Sequence, residues 1–253
     1  FKTSVLSFNL VDLIKFTLKR GIEQKSQKVM MKYLVFIVLF CSSSIVALES
    51  TCYGSTSNGR LENGVQLPSK GKNFVSYSKT AEILGRTYVH SKVKEIILAS
   101  YKSLEIEMPK KVYKYAETGF KEGGKFSPHK THQNGLSVDF MVPVVPKKGE
   151  SEHLPTHMFN KFGYTIEFAK KGQYKEYRID YQAMAAHIVS LHKKAKERGV
   201  KIWRVIFDPK LQPYLFRTKY GKYLKTHINF SKKKSWVRHD EHYHVDFIVK
   251  CLK

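Results

Sequence analysis

Apolar positions divide the chain into two amphipathic helices set among strand-like runs. From Ser91, the residues Val93, Ile96, Ile97, Tyr101 and Leu104 recur at spacings of three and four, which lines one face of a helix. Ser91 stands where an N-cap belongs, and Pro109 stops the pattern. The second helix opens at Asp180, carries the stripe Met184, His187, Ile188, Leu191 and Ala195, and ends at Gly199. Strands are predicted over Lys111–Glu117, Leu136–Val142, Tyr164–Phe168, Lys201–Phe207 and His242–Val249, with Pro143 and Pro146 ending the second. Asp208-Pro209 opens a short helix through Leu215. Residues 53–79, rich in Gly, Ser, Asn and Lys, read as an irregular surface arm. Residues 147–162 read as a loop and 217–235 as a basic stretch. There is no internal repeat. The expected fold is α+β, a mostly antiparallel sheet flanked by helices.

Composition adds a direction. The chain has 253 residues, 42% of them hydrophobic, enough for a sizeable core. Its net charge of +24 predicts attraction to polyanions, whether nucleic acid, anionic lipid or a cell-wall polymer. Charge alone does not choose among these. The run beginning at Met31 has a basic start, an apolar core and small residues ending at Ala47, the pattern of a secretory signal peptide. Its apolar core, Leu34 to Cys41, is too short for a permanent anchor. Phe40 argues against lipid attachment at Cys41, because such sites need a small residue there. The expected organisation is therefore an upstream extension outside the natural product (1–29), a signal peptide cleaved after Ala47 (30–47), and one folded domain (48–253) without a stable membrane anchor. Cys52 and Cys251 then remain near the two ends. In an oxidising compartment they can form one disulfide; two free thiols are the alternative.

The candidate chemistry lies in two stretches about a hundred residues apart. In the last predicted strand, side chains alternate, so His242, His244 and Asp246 share one face while Tyr243, Val245 and Phe247 face the core. In the earlier strand Leu136, Val138 and Phe140 face the core and Asp139 points the other way. If these strands are neighbours, Asp139 meets the His242/His244 face, and His132 folds over the same spot from the preceding loop. Three such ligands with an open fourth position suit a catalytic zinc ion. A His-x-His pair alone is equally a solvated strand face. His187, His192, His90, His153, His157 and His227 read as surface or packing residues.

Taken together, the stretches are similar to the penicillin-insensitive murein endopeptidases, members of a wider group of zinc peptidases that includes lysostaphin-type enzymes, D-Ala-D-Ala peptidases and hedgehog domains. The resemblance rests on Gly123-Gly124, then His129-x2-His132-Gln133-x-Gly135-Leu136-x-Val138-Asp139, then His239-x2-His242-x-His244-Val245. Ser57-Asn58-Gly59, Leu67-Pro68 and Phe207-x-Pro209 add to it, and it spans most of residues 55–250. It implies a hedgehog/D-Ala-D-Ala-peptidase-like fold with a Zn2+ cofactor held by His132, Asp139 and His244. It implies His242 as general base, His239 as oxyanion stabiliser and His129 as a further active-site residue. The substrate would be peptidoglycan, cut at the amide between D-Ala and the side-chain amine of a diamino acid; with the leader, this implies the periplasm. No acyl-enzyme serine is needed, which implies insensitivity to penicillin. Three residues depart from the family pattern: Ser137 replaces a usual Asp, Pro128 a Gly, and Asp246 a basic residue. Asp246 lies on the site face, where it either alters charge preference or orients a neighbouring His.

Two alternatives stay open. A D,D- or L,D-carboxypeptidase of the same group would trim stem peptides. A non-catalytic zinc-containing cell-wall-binding protein would use the charge for adhesion, although it would have no need of both His239 and His242. A nucleic-acid-binding role is not expected, since the chain has a leader and no groove-reading motif.

Overall fold

Apolar stripes on the two long helices and apolar faces on the central strands meet in one core. The computed structural model describes residues 48–147, 149–233, 235 and 237–253. The expected extension (1–29) and signal peptide (30–47) lie outside the described residues. The elements run β1 (Thr51–Ser55), β2 (Asn58–Glu62), β3 (Val65–Gln66), β4 (Phe74–Ser76), α1 (Lys79–Ile83), β5 (Tyr88–Val89), α2 (Ser91–Glu107), β6 (Tyr113–Tyr115), β7 (Ser137–Met141) and β8 (Val144–Pro146). A 3-10 turn, Met158–Gly163, precedes β9 (Gln173–Tyr174), β10 (Tyr177–Ile179), α3 (Tyr181–Glu197), β11 (Lys201–Ile206), α4 (Gln212–Leu215), α5 (Gly221–His227) and β12 (His242–Ile248). The fold is mixed, as its sequence pattern predicts. Among the described residues no helix is long and apolar enough to cross a membrane.

The principal sheet has five strands in the order β11-β12-β7-β6-β4. All neighbours pair antiparallel except β4 with β6. One face of its centre carries Val138, Phe140, Tyr243, Val245 and Phe247, all buried. Here α2 and α3 pack together through a stack of rings. His187 of α3 lies 5.0 Å from Tyr101 of α2 and 4.8 Å from Phe140 of β7. Its Nδ1 is hydrogen-bonded to the Tyr243 hydroxyl. Burial lowers His187 to about 3, so it stays neutral and serves as a packing residue.

Several local expectations are revised. The N-cap of α2 is His90, whose Nδ1 accepts the Lys92 N–H at 3.1 Å; Ser91 is the first helical residue. The arm over 53–79 is more ordered than its composition predicts: β1 and β2 form a hairpin, and Phe74–Ser76 adds an edge strand to the main sheet. Tyr164–Phe168 is no strand, because its polar groups are committed elsewhere. The Ile166 N–H goes to Gly163, the Phe168 N–H to the Asp240 carboxylate and the Ile166 carbonyl to Arg238. The strand over 111–117 shortens to Tyr113–Tyr115, and the short helix expected from Pro209 begins at Gln212. The basic stretch contains α5, which the sequence pattern does not announce.

Cys52 and Cys251 form a disulfide across a sequence separation of 199. Beside it the last residues pair with β1: Leu252 N–H donates to the Cys52 carbonyl and Gly54 N–H to the Leu252 carbonyl, both at 2.9 Å. A cross-link closing so long a loop removes much of the freedom of the unfolded chain. The double substitution Cys52→Ser/Cys251→Ser is expected to lower unfolding free energy by about 2–4 kcal/mol. Denaturant titration of wild type and variant measures it, and equal midpoints would contradict the expectation.

Candidate active site

On the opposite face of the central strands the alternation is polar, yet these side chains are buried too. In the β7–β12 ladder His244 stands opposite Asp139, and Asp246 opposite Ser137. The two stretches that the sequence left unconnected are therefore adjacent strands. Asp139 is 0% exposed. A buried carboxylate is stable only when surrounded by donors and positive charge. The Tyr164 hydroxyl donates to Oδ2 at 2.9 Å, and His244 Nδ1 lies 2.8 Å from Oδ1. His132 Nε2 is 3.4 Å from Oδ1, while His242 Nε2 and His129 Nδ1 lie 3.7 and 3.9 Å from Oδ2. Burial works against the charge on Asp139, but His132, His242 and His244 outweigh it and hold the carboxyl well below its usual range.

His132 comes from the loop between β6 and β7. Two glycines let that loop close. A Cβ on Gly123 (φ +70) would lie 2.3 Å from the Gln133 carbonyl oxygen, and one on Gly135 (φ +74) 2.7 Å from the His90 nitrogen. His132 itself adopts φ +71, a conformation disfavoured for a residue with a side chain. Its ring is held by Nδ1, 3.1 Å from the Thr118 carbonyl. That acceptor requires the proton on Nδ1 and leaves a lone pair on Nε2. Nε2 is buried without a hydrogen-bond partner.

The other imidazoles are also tethered by one nitrogen, and in His129, His242 and His244 the other nitrogen faces Asp139. His129 Nε2 is bound by Glu117 Oε2 at 2.5 Å. His242 Nδ1 is 2.9 Å from Glu241 Oε1, and His244 Nε2 is 2.8 Å from Asp246 Oδ1. His239 Nδ1 is 2.8 Å from the Val237 carbonyl, and its ring lies 4.5 Å from that of His242. All six expected site residues are thus brought together. His90, His187 and His192 lie in helix caps, the core or pairing with Tyr223, and serve packing as expected.

The donor set fits a metal ion. His129, His132 and Asp139 each offer a ligand atom within 4.8 Å of one another. His244 Nδ1 faces the same carboxylate. Imidazole and carboxylate are ligands of borderline transition ions, and the orphaned Nε2 of His132 is a buried lone pair that such an ion would satisfy. Two clefts are lined in part by His129. One of about 200 Å³ is lined by His129, His239, His242, His244, Arg204 and Ser235. The other, about 550 Å³, is lined by Tyr77, Phe162, Tyr164, Glu117, Arg238 and Glu241.

Three further residues emerge that the sequence reading did not single out. Tyr164 and Glu117 reach the site only through chain folding, and no spacing announces them. Glu241 sits inside the second motif, where an acid between two histidines was the available signal. Burial raises Glu241 to about 7 and lowers His242 to about 4, so His242 stays neutral. Burial also opposes charge on His244, but Asp246 and Asp139 outweigh it and raise the ring to about 10.

Glu117 carries a pH signature. Burial opposes its charge, yet His129 and Arg86 hold it at about 2, below its usual 4.5. This depressed carboxylate stabilises the fold above pH 4.5 and loses that contribution as pH falls toward 2. His129 is raised above 6.5 by the Glu117 and Asp139 carboxylates, against its burial; its contribution is present below 6.5 and fades as pH rises through its folded value. Unfolding of the metal-free protein between pH 6 and pH 3 should therefore show a loss from Glu117 on the order of 1–2 kcal/mol. Glu117→Gln should flatten that limb; a limb of unchanged depth would assign the loss elsewhere.

No curated protein matches the chain. A family model described as penicillin-insensitive murein endopeptidase matches residues 52–252, which include both motifs and every site residue named above. The chain belongs to the penicillin-insensitive murein endopeptidase family.

Proposed function

We propose that the protein is an exported zinc endopeptidase that hydrolyses the D-Ala–diamino acid cross-links of peptidoglycan. The convergence of His132, Asp139, His242 and His244 on one buried point carries this reading. In it His132 Nε2, an Asp139 oxygen and His244 Nδ1 hold the ion, residues 48–253 form the catalytic domain, and the architecture is of the hedgehog/D-Ala-D-Ala-peptidase kind. The bonded Cys52–Cys251 pair supports action in an oxidising compartment, the periplasm, after removal of 30–47 as a leader. When bound, zinc supplies an activated water and a Lewis acid for the scissile carbonyl.

The chain's own residues supply the proton chemistry. With Glu241 ionised, His242 donates Nδ1–H to it, so Nε2 carries the lone pair that accepts a proton from the attacking water. Its low proton affinity suits it to return that proton to the leaving amine. His239 gives Nδ1–H to the Val237 carbonyl and is held neutral, at about 3, mainly by burial and by neighbouring His242. It would stabilise a developing oxyanion only after gaining a proton at Nε2. The Tyr164 hydroxyl and Glu117–His129 pair support Asp139 from the other side. The strongly basic surface would keep the enzyme on an anionic wall, an attraction that weakens as salt rises.

Incubation with purified peptidoglycan should convert cross-linked dimers to monomers by mass. Chelation should stop this and added zinc restore it. Intact dimers after incubation with zinc-loaded protein would exclude the endopeptidase, and shortened monomer stems would indicate a carboxypeptidase. His242→Ala should retain zinc and lose turnover by about 10²–10⁴-fold. His129 offers a specific rival for the third ligand, because its donor atom also clusters with His132 and Asp139. Metal analysis decides: His244→Ala should lose zinc and His129→Ala keep it, the reverse result exchanging their roles.

A further inference from the structure

Asp246 is 0% exposed, two residues beyond His244 on the same strand. Three strands converge on its carboxylate. Ser137 of β7 donates Oγ–H to Oδ1 at 2.5 Å, and Arg204 of β11 donates Nε–H to Oδ2 at 2.6 Å. Both partners are set by register, since Asp246 pairs with Ser137 on one side and Arg204 on the other. The third partner is the His244 ring, whose Nε2 lies 2.8 Å from Oδ1. With each oxygen anchored from a different strand, the carboxylate cannot rotate away from that nitrogen without abandoning a buried charge-assisted hydrogen bond.

The consequence falls on the other side of the ring. An ionised acceptor at Nε2 keeps a proton there, so the proton given up when an ion binds is the one on Nδ1, and the lone pair freed for the ion is on Nδ1. That atom faces Asp139, 2.8 Å from Oδ1. We propose that Asp246 is a positioning residue that locks His244 in its Nε2–H form and aims Nδ1 at the metal. The inference rests on the zinc reading above. It gives Asp246 the orienting task rather than a task in reading substrate charge. The lining of the smaller cleft includes Arg204 and His244 but not Asp246 itself. A carboxylate behind a ligating imidazole also increases the ring's donor strength.

The test is zinc affinity, measured by competition with a chelator on the full folded chain. Asp246→Asn keeps the side-chain volume and removes the charge. It should weaken zinc binding by about 10–100-fold while circular dichroism shows a native fold at the assay temperature. Arg204→Gln leaves the carboxylate on His244 and should weaken binding less than Asp246→Asn. A folded Asp246→Asn protein binding zinc within twofold of wild type would overturn the inference. So would equal losses in the two variants, which would mean a merely structural charge pair. If Asp246→Asn does not fold, nitrogen-detected NMR of zinc-loaded wild type decides: the His244 proton should be on Nε2, and a proton on Nδ1 overturns the assignment. Wild-type protein that binds no zinc would instead bring down the zinc reading, and this inference with it.

Discussion

The backbone ladder between β7 and β12 sets His244 across from Asp139, and the rest of the site is built outward from that pair. Side chains on a strand alternate with period two, so a one-residue slip would send His242, His244 and Asp246 into the apolar layer and expose Tyr243, Val245 and Phe247. The apolar face opposes such a slip. Phe140 and Tyr243 stack with centroids 5.4 Å apart, and His187 of α3 closes on both. The core thus holds the polar face in register, although none of its residues takes part in the chemistry.

Burying so many polar groups is costly unless each has a partner. The molecule meets this by distributing acceptors around a ring of imidazoles. Two are backbone carbonyls, of Thr118 and Val237; three are carboxylates, Glu117, Glu241 and Asp246. Each tether removes one nitrogen from play, and in His129, His132, His242 and His244 the other faces Asp139. Carbonyl tethers leave a neutral ring with a defined lone pair, as for His132. Carboxylate tethers additionally stabilise positive charge, which distinguishes His129 and His244 from His239 in proton affinity. His242 is the exception among the carboxylate-held rings, because its burial prevails and Glu241 is itself pushed up by burial.

Much of the site was legible because its residues lie in short motifs with regular geometry. The alternation in His242–Val249 places His242 and His244 on one face without tertiary information, and Val138 and Phe140 likewise predict where Asp139 points. Departures from expectation have local causes. His90 displaced Ser91 as cap because its ring nitrogen reaches the Lys92 N–H. Residues 164–168 have strand-like composition, but their polar groups are consumed by Gly163, Asp240 and Arg238, so no ladder forms. The arm over 53–79 gained strands because β1 of its hairpin is tied to the C-terminal residues by the Cys52–Cys251 disulfide and the backbone bonds of Leu252, and its Phe74 edge pairs with β6.

By itself the sequence determined the two long helices, the apolar and polar faces of the central strands, and the histidines and Asp139 that converge on the site. These follow from periodicity and from motif spacing, both of which are local. Only the tertiary structure decided that the two motifs are neighbouring strands, that Tyr164 and Glu117 complete the surroundings of Asp139, and that Asp246 lies behind His244. Those relations depend on strand order, register and loop closure, which bring together residues as distant in sequence as Ser137 and Asp246, 109 positions apart. Such distances carry no periodic signal, and the energy that selects them comes from burying the whole core at once.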